Sequence, residues 1–134
     1  MAVNNIFGPI DIATSGLRAH NKHMEVISSN IANARTTDAG KGQPYRRLEA
    51  TFKTEDDELS GVSLDKILPD KSEFIRILDE GHPDADSEGY VLMPNVDIPK
   101  ELINLNIATR AYQANAAILK RYQKMVETTL ELLR

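Results

Sequence analysis

The 134-residue chain has no cysteine. That excludes a disulfide scaffold, thiol catalysis and any cysteine-ligated zinc site. Long apolar runs are missing as well, so no segment reads as a helix crossing a bilayer. No Lys or Arg precedes Arg18, and no apolar stretch follows the start. A conventional cleavable secretory signal is therefore not expected, and export would need a route that does not read one. Phosphate-binding loops and dinucleotide fingerprints are absent, as are nucleophile elbows and paired Ser-His-Asp arrangements. The chain thus offers an enzyme no reactive constellation, and no cofactor or metal is expected.

What is present describes one ordered domain. Hydrophobic residues make up 41% of the chain and charged residues 27%, with 16 basic against 20 acidic side chains and a net charge of −4. The charge is unevenly spread. Residues 54–89 hold 12 acidic and 3 basic side chains, residues 90–134 hold 4 and 6, and residues 10–34 balance. An acidic middle between near-neutral ends lacks the continuous basic face that nucleic acid requires.

Both ends read as helices. Ile6, Ile10, Ala13, Leu17, His20, Met24, Ile27, Ile31 and Ala34 are spaced alternately by four and three, the 3.5-residue period of a coiled-coil seam. Gly8, Pro9 and Asp11 supply a start, and the run from Arg35 to Gly40 an end. Gly16 inside this helix costs about 1 kcal/mol relative to Ala. At the other end Ile98, Leu102, Leu105, Thr109, Tyr112, Ala116, Leu119, Gln123, Val126, Leu130 and Leu133 repeat the alternation. Asp97 is the expected N-cap and Pro99 the first-turn residue. A helix over residues 99–133 is about 52 Å long, too long for the core of a domain this small.

The C-terminal helix carries a second apolar stripe roughly opposite the first: Ile103, Ile107, Ala114, Ile118, Met125 and Leu132. A helix apolar on two sides must be covered on two sides, and one N-terminal helix covers only one of them. The expected intrachain seam is therefore Ile10, Leu17, Met24, Ile27 and Ile31 against Leu102, Leu105, Tyr112, Leu119, Val126 and Leu130. The second stripe, together with Tyr122, is the expected interface between subunits. Tyr112 and Tyr122 read equally as interface anchors or as residues buried against the N-terminal helix.

Short strand-like runs lie between the helices: Arg46 to Phe52, Phe74 to Leu78 and Tyr90 to Met93. They predict a small hairpin or meander, with Tyr45, Phe52 and Tyr90 anchoring the middle region outside the helical layer. The divisions expected are 1–36, 37–96 and 97–134. Arg46 and Arg47 offer a candidate phosphate patch, but the acidic run that follows favours solvated strand edges or inter-subunit ion pairs. Of the histidines, His20 is a seam residue, His23 its neighbour and His82 part of a turn, and none has metal-ligand spacing. Asp84, Asp86 and Gly89 open like a calcium loop, but the bidentate glutamate position holds Asn95, so an acidic solvated turn is the better reading. The fold class is α+β, mainly α.

Four ordered motifs carry a resemblance. Ser28 to Thr37 is similar to the signature that ends the first helix of the rod and hook axial proteins of the bacterial flagellum. Gly42-Gln43-Pro44-Tyr45-Arg46-Arg47 and Gly89-Tyr90-Val91-Leu92-Met93-Pro94-Asn95-Val96-Asp97 resemble the entry to and exit from the middle region in the proximal-rod branch, the FlgC type. Ala111-Tyr112-Gln113-Ala114-Asn115 resembles the C-terminal helix motif. The sister pattern continues from the signature into Thr-Pro-Gly-Tyr, whereas here Thr37-Asp38-Ala39-Gly40-Lys41-Gly42 intervenes, as suits the proximal-rod branch.

The resemblance implies a structural, non-catalytic subunit of the basal-body rod crossing the periplasm, exported unfolded by the flagellar type III apparatus. It implies as partners other copies of the chain, rod proteins of the FlgB, FlgF and FlgG types and the adaptor FliE, with no nucleic acid and no direct membrane insertion. The alternative from another class is a soluble helical adaptor that forms a closed homo-oligomeric bundle.

Overall fold

Gly8, Pro9 and Asp11 open the first helix as the capping rules require, and the helix, α1, runs Gly8–Ala32. The computed structural model describes residues 8–40, 42–54 and 61–133. Ile6 of the expected seam, and the acidic residues 55–58, lie outside the described residues. Beyond α1 come β1 (Leu48–Thr54), β2 (Val62–Pro69), β3 (Ile75–Leu78) and β4 (Tyr90–Met93), and then α2 (Ile98–Leu132). The architecture is mainly α with small antiparallel strand pairs. At 35 residues α2 is about 52 Å long. Asp97 caps it from an extended conformation, its carboxylate accepting the Lys100 N–H at 3.1 Å, and Pro99 stands in the first turn, where an N–H has no intrahelical acceptor.

The two helices pair antiparallel. Asn30 meets Glu101 (3.1 Å), Thr109 donates to the Met24 sulfur (3.6 Å), Gly16 faces Asn115, and Ile10 shares a groove with Leu119, Tyr122 and Val126. Gly16 is required by this approach, since a Cβ there would stand 2.7 Å from Asn115 Nδ2.

The contact line on α2 runs through positions 101, 105, 108, 112, 115, 119, 122 and 126, again alternating by four and three. It shares one heptad position with the expected seam (105, 112, 119 and 126). At the other position it is displaced by one residue: Glu101 and Ala108 are buried, while Leu102 is 52% exposed. Hydrophobicity favours Leu102 for the seam, but Glu101 finds a half-buried arginine and a buried asparagine that Leu102 has no use for. Leu130, 62% exposed, lies past the level at which Ile10 meets Val126.

The strands form two separate hairpins, β1–β2 and β3–β4, instead of one meander. Strand β2 has no counterpart in the sequence reading. Its run Val62-Ser63-Leu64-Asp65-Lys66-Ile67-Leu68-Pro69 does not alternate cleanly, and a bulge at Thr51/Phe52 shifts the register of its pairing with β1. The hairpin packs on the face of α1 turned away from α2. There Ser15 Oγ accepts the Val62 N–H (3.0 Å), and the Phe52 ring lies edge-on to His23, 5.3 Å between centroids, and 6.3 Å from His20. Gly61, at φ +95°, allows this docking, because a Cβ would collide with the Ser15 hydroxyl. Helix α1 is thus covered on two sides, and its buried residues Ala13, Gly16, Ala19, Val26, Ile27 and Asn30 form the core.

Candidate assembly interface

One polar cluster fixes the helices to the middle region. Asn30 closes α1, and all four hydrogen-bonding positions of its amide are filled. Nδ2 donates to the Leu48 carbonyl (2.9 Å) and to Glu101 Oε2 (3.1 Å), while Oδ1 accepts from the Leu48 N–H (2.9 Å) and the Tyr45 hydroxyl (3.0 Å). The reciprocal pair with Leu48 imitates a peptide group of a neighbouring strand, so a helix side chain satisfies the start of β1. Glu101, 1% exposed, accepts a second hydrogen bond, this one from the Arg47 cation, whose Nε lies at 2.7 Å.

Arg47 also reaches Asp70 (3.2 Å) and Glu49, and its backbone N–H donates to Asn95 Oδ1 at 2.8 Å. Asn95 in turn donates to the Asp70 carbonyl (3.2 Å) and the Ser72 hydroxyl (2.8 Å). Arg46 donates to the Asp70 and Ser72 carbonyls, both at 2.9 Å, and its guanidinium lies 4.1 Å from the Phe74 ring centroid. The arginine pair therefore works within the chain and not as solvated strand edges. The chain folds it inward because Glu101 would otherwise be a buried charge without a cation.

The electrostatics of the cluster are consistent with a clasp. Burial disfavours the Arg47 cation, but the hydrogen bonds it donates to Glu101 and Glu49 outweigh that and raise the guanidinium pKa above its ordinary value. The backbone and hydroxyl of Ser72, together with Arg47, hold the Asp70 carboxyl below the usual carboxylate range against the opposing effect of burial. Burial, followed by neighbouring His20, pushes the His23 imidazole below its ordinary value, with Glu101 opposing. A small cavity of about 280 Å³ bordered by His23, Asn30, Arg47, Glu101 and Asn104 adjoins the clasp. Asn30, Arg47 and Glu101 on its wall are engaged with one another, which gives rigidity.

The expected site residues separate into groups. Ile27 is buried, and Ile10, Leu17, Met24, Ile31, Leu105 and Leu119 are half-buried between the helices; Tyr112 and Val126 lie at the margin of the contact. Tyr122, expected on the subunit interface, lines an open groove with Ile10 and Val126, on the contact line that runs through 101 and 108. The rest of the second stripe faces outward. Ile103 and Ile107 are 61% and 60% exposed, and Ala114, Ile118, Met125 and Leu132 are exposed as well.

In the middle region Tyr45 is tied by its hydroxyl to Asn30 and Ser29. Phe52 lies against the two histidines, and Tyr90 lies under the Arg76 guanidinium, 4.1 Å from its ring centroid. Arg76 also pairs with Asp86 and Glu88. The Asp84 to Gly89 segment is a turn in which Asp86 accepts the Glu88 and Tyr90 N–H groups, both at 2.9 Å.

Sequence reasoning missed Asn30, Arg47, Asn95 and Glu101 as a unit. The signal that could have found them is Glu101 on a four-three line with Leu105 and Ala108, a charge on a helix face that needs a partner. No helix among the described residues is long and apolar enough to cross a membrane.

Comparison with known sequences gives the same picture at both ends of the chain. Residues 10–39 match the family described as "Flagella basal body rod protein", and residues 87–132 match "Flagellar basal body rod FlgEFG protein C-terminal". Among individual relatives, the chain is 39% identical over 127 residues to "Flagellar basal-body rod protein FlgC" of Agrobacterium fabrum, covering 92% of this chain and 91% of the relative. The protein of the same name from Salmonella typhimurium is 38% identical over 135 residues, covering 98% of each, and that from Bacillus subtilis is 34% identical over 145 residues, covering 94% and 97%.

Proposed function

The chain belongs to the FlgC family of flagellar basal-body rod proteins, as a structural and non-catalytic subunit of the rod, and we propose that its outer α2 stripe is the surface through which it assembles. The observation that carries this reading is the exposure of Ile103, Ile107, Ala114, Ile118, Met125 and Leu132 on a helix whose other face is already occupied by α1. An apolar row of this length on an element held rigidly by the clasp marks an association surface.

Each isoleucine covered by a neighbour contributes roughly 1.5–3 kcal/mol before the entropy of association is subtracted. Several in one row stiffen a shaft that transmits torque. In the same reading α1 and the contact line of α2 form the inner pair of each subunit. The neighbours are further copies and rod proteins of the FlgB, FlgF and FlgG types, with FliE as adaptor. The subunit reaches the rod, where it crosses the periplasm, through the flagellar type III export apparatus.

The test is Ile107→Asp. Position 107 is exposed in the single chain, so the change is expected to alter its unfolding free energy by no more than about 0.5 kcal/mol. It is expected to abolish incorporation into the rod and motility while secretion continues. A motile strain whose rods contain the variant at normal occupancy would refute the role of the stripe.

A further inference from the structure

The outer stripe of α2 has a different period from the inner contact line. Ile103, Ala114 and Met125 are eleven residues apart, as are Ile107 and Ile118, and as are Arg110 and Arg121. Eleven residues at about 100° each overshoot three full turns by about 20°, so the stripe winds gently right-handed along the helix. Seven residues fall short of two turns by about 20°, so the inner line winds left-handed. A helix wound on α2 as a left-handed coiled coil follows the inner line and drifts off the outer one. A short element that spans one eleven-residue interval meets the outer stripe over only about 20° of drift and so needs no matching supercoil.

The charge on the stripe narrows the choice further. Arg110 and Arg121 are exposed, stand about 16 Å apart along the axis, and make no ion pair among the described residues. The Ala114 and Ile118 side chains fill the interval between them. A partner should therefore be apolar in the centre and acidic at both ends.

The chain carries such an element in β3. Ile75 and Ile77 lie on one face with their cross-strand partners Met93 and Val91, and both isoleucines are about half exposed. Glu73 precedes the strand and Glu80 follows it; both are exposed and neither has an ion pair among the described residues. On the same face opens a groove of about 410 Å³ lined by Arg35, Ile77, Asp79, His82, Val91 and Met93. Residues 61–89 around it hold eight acidic and three basic side chains.

We infer that the outer α2 stripe between Arg110 and Arg121 receives the β3–β4 hairpin of a second copy of this chain, with Glu73 and Glu80 answering the two arginines and Ile118 entering the groove beside Ile77. The inference names the occupant of the surface proposed above and rests on that proposal. The contact is heterologous: each copy offers its hairpin to one neighbour and its stripe to another, so the arrangement propagates instead of closing into a symmetric dimer.

The experiment uses the full chain in a strain where it is the only subunit of its family. Because the chain has no cysteine, Ile118→Cys combined with Ile77→Cys gives a clean pair, and mild oxidation of purified basal bodies is expected to join position 118 of one copy to position 77 of another. Arg110→Glu with Arg121→Glu is expected to lower incorporation about tenfold or more, and adding Glu73→Arg with Glu80→Arg to restore most of it. Position 118 captured on a different protein, or on position 118 of a second copy, overturns the assignment. So does a charge reversal that the reciprocal change fails to rescue. Ile107→Asp separates the two levels: if it leaves incorporation intact, the assembly reading itself fails. If it blocks incorporation while the reciprocal charges give no rescue, only the hairpin is the wrong occupant.

Discussion

Helices α1 and α2 are built on similar apolar periods yet end in opposite circumstances. Helix α1 is enclosed, with α2 on one face and the β1–β2 hairpin on another, and its core positions are Ala, Gly, Val, Ile and a fully bonded Asn. Helix α2 is ten residues longer and, among the described residues, is packed along one line; its buried residues are Glu101 and Ala108, Leu105 and Leu119 are half-buried against α1, and Ile103, Ile107, Ile118, Met125 and Leu132 face outward. The difference shows that apolar content does not by itself identify the interior of this protein. On α2 the most buried positions of the intrachain contact are a glutamate and an alanine, while Ile103, Ile107, Ile118 and Met125 stand where a neighbour can cover them.

The sharpest way to break the enclosed side is to remove the cation of the clasp. Arg47→Met leaves Glu101 buried with Asn30 as its one remaining donor, and is expected to destabilise the chain by about 3–5 kcal/mol in urea unfolding. The double change Arg47→Met with Glu101→Met is expected to recover a large part of that loss, since two apolar side chains leave no stranded charge. A double variant no more stable than the single one would show that the pair acts through something other than mutual neutralisation.

A smaller effect is expected where the helices approach most closely. Gly16→Val places new methyl groups against Asn115 and is expected to cost about 1–3 kcal/mol, read as a lower thermal midpoint. An unchanged midpoint would mean that the helices separate there without penalty, and that α1 is less tightly enclosed than its burial indicates.

The smallest effect concerns the hairpin side of α1. The folded pKa of His23 lies below its unfolded value near 6.5, so folding favours the neutral ring. Its contribution is present at pH values above 6.5, declines as pH falls through 6.5 towards the folded value, and levels off below that. Unfolding free energy is therefore expected to drop between about pH 8 and pH 5, and His23→Gln to flatten that part of the profile. Asp70 acts at lower pH: its carboxyl lies below the ordinary aspartate value of 3.8, so its contribution holds above that value and disappears as pH falls through the folded pKa. An identical pH profile for the His23 variant would remove the imidazole from the account.

Local signals were the legible ones. Asp97, Pro99 and the four-three alternation located α2 to within a residue at its start, because capping and amphipathic period act over one or two turns. The runs ending at Phe52 and Leu78 and the one from Tyr90 to Met93 located three of the four strands for a similar reason. Strand β2 was not legible, because its irregular alternation becomes a strand only when β1 supplies the hydrogen bonds and α1 the docking face. The clasp was not legible either. Arg47 and Glu101 are 54 residues apart, and each looks like an ordinary surface charge until the fold excludes water from both.

The sequence by itself determined two long terminal helices, an acidic and poorly buried middle, and more apolar surface on α2 than one partner helix can cover. These follow from periodicity and composition, which are properties of neighbouring residues. Only the tertiary structure decided that Glu101 and not Leu102 faces inward, that α1 is the enclosed helix, and that Tyr122 lines a groove with Ile10 and Val126. Those choices depend on which groups separated in sequence can neutralise, hydrogen-bond and fill space for one another, a balance that exists only once the segments are brought together.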